Sequence, residues 1–222
     1  MQYLFHKQAS STSLVLSGDE HRYIFKVRRH KEGEEIALRN LEDSYIYIYR
    51  IISLDKKEAH LQLETSKELQ IKAKKNLHIA WCVIDSKSVE KVLPTLNEMG
   101  VNKITFIYCS RSQKSFKPDF KRLEKILLNS SQQCGRSSLM KLEMSNSLDS
   151  FLTHNPETVM LNFSEHFLEK ESNVGTVLVG CEGGFTADEL ALFDSKNIMG
   201  LDTPLILKSE SAVCAVATKL LL

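Results

Sequence analysis

The chain has 222 residues, of which 42% are hydrophobic and 26% charged, so it fits an ordinary soluble globular protein of one large domain or two small ones. No apolar run approaches the length of a membrane span, and the Met1–Lys7 stretch has no signal-peptide core, so neither a membrane-spanning helix nor export is expected. Five scattered cysteines without a C-x-x-C pair favour reduced thiols in the cytoplasm over disulfides or a zinc site. The net charge of +1 hides an asymmetry. Residues 1–70 carry 11 Lys/Arg against 11 Asp/Glu, residues 71–142 carry 14 against 5, and residues 143–222 carry 4 against 12. A middle segment of that sign suggests a surface for a polyanion, although lysines that solvate helix faces leave the same trace.

Residues 1 to about 70 read as mostly β. Tyr45–Ile51 has strong strand composition, Ala59–Thr65 alternates apolar with polar, and Glu35–Leu38 is a shorter candidate. Between strands lies His21–Lys31, where Asp19 is placed to cap a short helix. Its cations Arg22, Lys26, Arg28 and Arg29 interleave with aromatic residues, a mixture suited to RNA phosphates and bases; a solvated helix face with Tyr23 and Phe25 buried fits as well. The polar run Lys72–Asn76 follows, and the domain boundary is placed near residue 70, giving domains 1–70 and 71–222.

From Leu77 onward strands and helices alternate, which implies a parallel sheet covered on both faces. Leu77–Ile84 is an apolar strand. Val89, Val92, Leu93, Leu96 and Met99 recur at helical spacing up to Gly100, a cap glycine, while Pro94 within that pattern predicts a kink or a shortened helix. Lys103–Tyr108 is the next strand, and Pro118-Asp119 opens a helix with Phe120, Leu123 and Leu127 on one face. Thr158–Phe163, Thr176–Val179 and Ile198–Leu201 are further strands, and Val213, Val216, Ala217 and Leu220 stripe a last helix. His78, inside a strand pattern, reads as a packed histidine.

The stretch Thr176–Thr186 reads as a buried strand, a tight turn with three glycines and a helix start, since Thr186 with Glu189 makes a capping box. It presents helix-start N–H groups beside a bare backbone that a ligand can approach. Leu201–Ala212 is a second strand end, loop and helix start. In a parallel α/β sheet both loops fall at the carboxyl ends of strands, where ligands bind. Arg111-Ser112, Gln133 with Arg136, Glu182, and Lys208 with Glu210 also follow the ends of predicted elements; each is also explicable as a cap or a surface ion pair.

Several blocks, in order, resemble the ribosomal RNA small subunit methyltransferase E family of the SPOUT superfamily. Val179-Gly180-Cys181-Glu182-Gly183-Gly184-Phe185-Thr186 is similar to its I-G-P-E-G-G-F-[ST] motif, and Glu98–Val101 to its E-L-G-V. Arg111-Ser112 is similar to its R-S, Gln133–Arg136 to its E-Q-x-x-R, and Leu205–Ala212 to its R-I-L-R-T-E-T-A; His21–Lys31 resembles its N-terminal basic segment. The resemblance spans nearly the whole chain. It implies an α/β fold with an N-terminal PUA-like β-barrel and a C-terminal SPOUT methyltransferase domain tied in a trefoil knot, which pattern reasoning alone would not propose. It implies a homodimer that takes S-adenosylmethionine in the knot loops, largely through main-chain groups, and methylates N3 of a uridine in 16S rRNA of the small ribosomal subunit. It implies neither a metal nor a membrane.

Carried onto this chain, the resemblance places the cofactor against Leu161, Val179, Gly180, Glu182, Gly183, Gly184, Leu201, Leu205 and Leu207. Glu210 is the candidate to take the uracil N3 proton, Arg136 and Lys208 to stabilise negative charge, and Arg22, Lys26, Arg28, Arg29 and Arg111 to hold RNA. The family's proline is Cys181 here, its glutamate is Gln132, its helical lysine is Thr95 and its arginine after I-L is Lys208; serines replace both threonines beside Glu210. A non-catalytic RNA-binding protein that keeps the fold is the alternative, and the intact glycines and Glu210 argue against it.

Overall fold

The computed structural model describes residues 2–222 and divides them into two compact units. The first runs to Lys72 and takes in Ser131–Ser138; the second is Ala73–Ser130 with Leu139–Leu222. The sequence suggested one cut near residue 70 and no returning segment.

In the first unit β1 (Leu4–Phe5), β2 (Ser13–Ser17), β3 (Glu35–Arg39), β4 (Tyr45–Leu54) and β5 (Glu58–Glu68) form a sheet in the order β1-β3-β4-β5-β2, with only β1 and β3 parallel. Its core gathers Leu16, Leu38, Tyr49, Ile51 and Leu61. The one-turn helix α1 (Gly18–His21) passes directly into a π-helical turn, Arg22–Val27. One expectation changes here. Ser17 takes the N-cap position without a side-chain bond, while Asp19 lies in the first turn, where its charge still suits the helix start. Ile24 is the fully buried residue of this turn, which Arg28 N–H closes on the Tyr23 carbonyl at 3.0 Å, while Tyr23 and Phe25 are half-buried against the same core.

The second unit has β6 (His78–Cys82), α2 (Ser86–Met99), β7 (Lys103–Ile107), α3 (Phe120–Cys134), β8 (Lys141–Ser145), α4 (Leu148–His154), β9 (Val159–Leu161), β10 (Thr176–Val179), α5 (Ala187–Leu190), β11 (Ile198–Met199) and α6 (Ser209–Leu221). The last turn of α3 falls in the first unit. The sheet is parallel throughout, in the order β11-β9-β10-β6-β7-β8. Its central strands β6, β7 and β10 are buried on both faces, which is why they read as continuous apolar runs.

Gly100 caps α2 in the left-handed region at φ 98°, and a Cβ there would stand 2.5 Å from that of Ala73, so the position requires glycine twice over. Pro94 does not shorten α2. The helix runs unbroken from Ser86 to Met99 because Val89, Leu93 and Leu96 are fully buried, and that burial outweighs one lost hydrogen bond. Asp85 caps it by accepting the Ser88 N–H at 3.0 Å.

His78 is packed, as its strand setting suggests: Nε2 lies 2.8 Å from Thr105 Oγ1 and the ring meets Phe151 edge-on. Burial, helped by the charge of Lys103, brings its pKa from 6.5 to about 4. Between those values the unfolded chain binds a proton that the folded one refuses, so stability is lost as pH falls from 6.5 toward 4. With screening by solvent the loss is about 1–2 kcal/mol. Urea unfolding midpoints of H78Q are expected to fall less than those of the parent over this window; parallel curves would remove His78 as the cause.

Candidate active site

At the carboxyl ends of β9, β10 and β11 three loops enclose a cavity of about 460 Å³. The β9 loop contributes Leu161, Asn162, Phe163, Ser164 and Phe167; the β10 loop contributes Gly180, Cys181, Glu182 and Gly184; the β11 loop contributes Gly200, Leu201, Thr203 and the run Leu205–Lys208. Main-chain groups and apolar side chains dominate the wall, and Glu182 and Lys208 are its charged members.

The loops are fixed by contacts that the local sequence explains. Gly200 donates its N–H to His166 O at 2.7 Å and accepts the Leu168 N–H at 2.8 Å, so the β11 and β9 loops interlock. A Cβ on Gly200 would lie 2.6 Å from Ser164 O. Ser209 is buried at the start of α6, accepts the Trp81 Nε1–H at 2.8 Å and donates to Gly180 O. That hydroxyl ties β6, the glycine turn and α6 together. The Thr186–Glu189 capping box forms, but α5 is a single turn, and the box itself occupies the Thr186 and Glu189 N–H groups. Two of the helix-start donors expected for a ligand are thus spent inside the fold.

Glu189 also accepts the Ser110 N–H at 2.7 Å, joining the β7 loop to the β10 loop. Burial would raise its pKa, but the Ser110 and Thr186 N–H groups prevail and hold the carboxyl below its usual range. Arg111 completes the brace: Nη1 donates to Gly183 O at 2.7 Å and Phe185 O at 3.1 Å, and its stem covers Gly183. Beneath the turn Cys82, Cys109 and Cys181 are buried thiols; Cys82 is pushed well up by its hydrogen bond with Cys109 and by burial.

Residues 72–221 match the family model described as an RNA methyltransferase domain, and residues 16–64 match an RNA methyltransferase PUA domain. The ribosomal RNA small subunit methyltransferase E of Helicobacter pylori strain 26695 is 35% identical, over 98% of both chains. The chain belongs to the ribosomal RNA small subunit methyltransferase E family. The family's Aquifex aeolicus protein is 24% identical over 100% of this chain and 99% of its own. A crystal structure of the Neisseria gonorrhoeae family protein, solved with S-adenosyl methionine bound, has a TM-score of 0.79 at 17% identity and covers 98% of this chain and 95% of that one, a likeness of fold.

Within this family member, eight of the nine residues expected at the cofactor line this three-loop cavity: Leu161, Val179, Gly180, Glu182, Gly184, Leu201, Leu205 and Leu207. Gly183 does not, since it lies under Arg111. Lys208 lines the wall as the N-cap residue of α6, and half-buried Glu210 follows in the first turn outside the lining. Sequence reasoning passed over Phe163, Phe167 and Gly200. The first two carry no local signal; the glycine directly after a strand was the one available clue.

Arg136 falls in the first unit, only 6% exposed, with the Tyr3 hydroxyl on its carbonyl at 2.8 Å. Burial lowers its pKa, with the guanidinium still a cation at neutral pH. Gln132, at the family's glutamate position, accepts the Phe5 N–H at 2.7 Å. Arg22, Lys26 and Arg29 are exposed, whereas Arg28 folds over Tyr23, 4.8 Å above the ring and 2.8 Å from its hydroxyl. Among the described residues no cluster of His, Cys, Asp or Glu is arranged to hold a metal, and no helix is long and apolar enough to cross a membrane.

Proposed function

We propose that the chain methylates N3 of a uridine in 16S rRNA of the small ribosomal subunit, using S-adenosylmethionine, as a cytoplasmic homodimer whose cavity loops form a trefoil knot. The observation that carries this reading is the three-loop cavity beyond the carboxyl ends of β9, β10 and β11. Its volume of about 460 Å³ suits a small organic ligand, and its main-chain wall suits a donor recognised without a dedicated charged partner. The mutual hydrogen bonds of Gly200 with the 162–168 loop support the knot. Phe163, Leu205 and Ile206, 78%, 71% and 82% exposed at the cavity mouth, support a subunit interface there.

Bound S-adenosylmethionine supplies an electrophilic methyl group. The chain's part is to hold donor and acceptor in line and to free the N3 lone pair. Glu210 is assigned to accept the N3 proton, and Lys208 to stabilise the charge that develops on the uracil oxygens. Arg22, Lys26, Arg28, Arg29 and Arg111 are assigned to the RNA, Arg111 in addition to bracing the glycine turn.

Incubation with labelled S-adenosylmethionine and small subunits from a strain lacking the gene is expected to label one uridine at N3. Tight RNA binding with no label would leave the binding-protein alternative standing. In single turnover, Glu210→Gln is expected to slow transfer by about 10²–10⁴-fold with donor affinity retained. An unchanged rate eliminates Glu210 as the base.

A further inference from the structure

The charge that the sequence concentrates in residues 71–142 has a location in the second unit. The segment Tyr108–Lys117, between β7 and α3, is held at three points: Ser112 Oγ accepts the Cys109 N–H at 3.0 Å, Ser110 N–H binds Glu189, and the Tyr108 hydroxyl donates to Phe116 O. Arg111, Lys114 and Lys117 are exposed on this anchored loop. Directly after it, α3 presents Lys121 and Lys125 one turn apart, and beside it α2 presents Lys87 and Lys91, again one turn apart. Leu123 and Leu127 of α3, like Val89 and Leu93 of α2, are buried, so the helical period turns all four lysines away from the sheet. The Arg122–Glu90 ion pair at 2.7 Å holds the two helices side by side.

Between Arg111 and Lys125 six cationic side chains stand against two carboxylates, Asp119 and Glu124, and Asp119 accepts the Arg122 N–H. Among the described residues none of Lys87, Lys91, Lys114, Lys117, Lys121 and Lys125 is in an ion pair. A fold gains nothing from six unpaired like charges kept together, whereas a phosphodiester chain gains from each through release of its counterions. The starts of α2 and α3 and the loop between β7 and α3 all lie at the carboxyl end of the sheet, the end that bears the cavity, and Arg111 joins the loop to the glycine turn.

We infer that this lysine surface is a phosphate track, along which the backbone of the substrate RNA runs from the cavity across Arg111 and over the first turns of α3 and α2. The inference rests on the RNA methyltransferase reading and deepens it, since it adds a second RNA-binding surface to the basic turn of the first unit. The track reads no bases. It contributes affinity that falls with salt, at about 0.7–0.9 in the slope of log K against log [salt] for each phosphate engaged.

The test uses the full chain with all six lysines changed to glutamine, beside a variant changed only at Lys114 and Lys117 and a control changed at Lys56 and Lys57 of the first unit. Binding to unmethylated small subunits is measured across a salt series, and S-adenosylmethionine binding by calorimetry. The six-residue variant is expected to lose about 3–5 of the slope and at least ~30-fold in RNA affinity at moderate salt, with donor affinity unchanged. The loop pair is expected to lose about 1–2 of the slope, and the control none. Parental slope and affinity in both track variants, with the parent binding and methylating RNA, would overturn the track and leave the proposed function intact. A parent that binds no RNA would overturn both.

Discussion

Replacing Gly200 with alanine is expected to cost this protein its three-loop cavity before it costs it the fold. The added Cβ would meet Ser164 O at 2.6 Å, Ser164 N at 3.2 Å and Asn162 O at 3.4 Å, all backbone atoms that cannot rotate aside. The β9 and β11 loops must separate, and the bonds that Gly200 makes to His166 and Leu168 stretch or break. Overpacking and two weakened hydrogen bonds together amount to about 2–4 kcal/mol. For a chain of this length that is roughly 5–15 °C in Tm. Because β11 is an edge strand, the damage is local, and S-adenosylmethionine affinity is expected to fall more than tenfold while the far-ultraviolet spectrum stays the same. Gly180→Ala supplies the comparison. Its Cβ would meet the Phe185 ring at 3.2 Å, a side chain that can yield, so the loss is smaller. Equal losses at the two positions, or normal donor binding by Gly200→Ala, would show that close approach of the two loops is not what shapes the cavity.

Gly200 also shows where the sequence stopped being informative. Features set by a few neighbouring residues were legible: the Gly100 cap, the Thr186–Glu189 box, and the strand Thr176–Val179 with its apolar run. So was the nearness of the Gly180–Gly184 and Leu201–Leu207 loops, since both follow strands of one parallel sheet. The third wall was not legible, because it depends on β11 lying beside β9, a pairing with no trace in the local composition of Ile198-Met199. The strands β1, β2 and β8 and the helix α4 were absent from the sequence reading as well. β1 has two residues, and β8, the edge strand Lys-Leu-Glu-Met-Ser, has no fully buried face to impose an apolar run. Pro94 erred in the other direction on helix length: of the two outcomes it predicted, the shortening did not occur, because the burial of Leu93 and Leu96 carries the helix past it.

Ser209 is where the chain's departure from the family motif meets the structure. The motif carries threonine, and what the site uses is the hydroxyl. It accepts from Trp81, which is fully buried, and donates to Gly180 O, the first carbonyl of the glycine turn. Ser209→Ala would leave a buried indole N–H without an acceptor and release the turn's carbonyl, a loss of about 1–3 kcal/mol together with weaker donor binding. Two comparisons separate this from simple loss of packing. Ser209→Thr keeps the hydroxyl and is expected to keep both stability and affinity. Trp81→Phe in the Ser209→Ala background removes the orphaned donor, so the double variant should be less destabilised than the sum of the two single ones, with a coupling of about 1–2 kcal/mol. Trp81 is the chain's one tryptophan, so its fluorescence reports the event directly: Ser209→Ala should shift emission and Ser209→Thr should not. Additive single variants, or a threonine variant as weak as the alanine one, would mean that the hydroxyl is a passenger and that the turn is held by Arg111 and Glu189 alone.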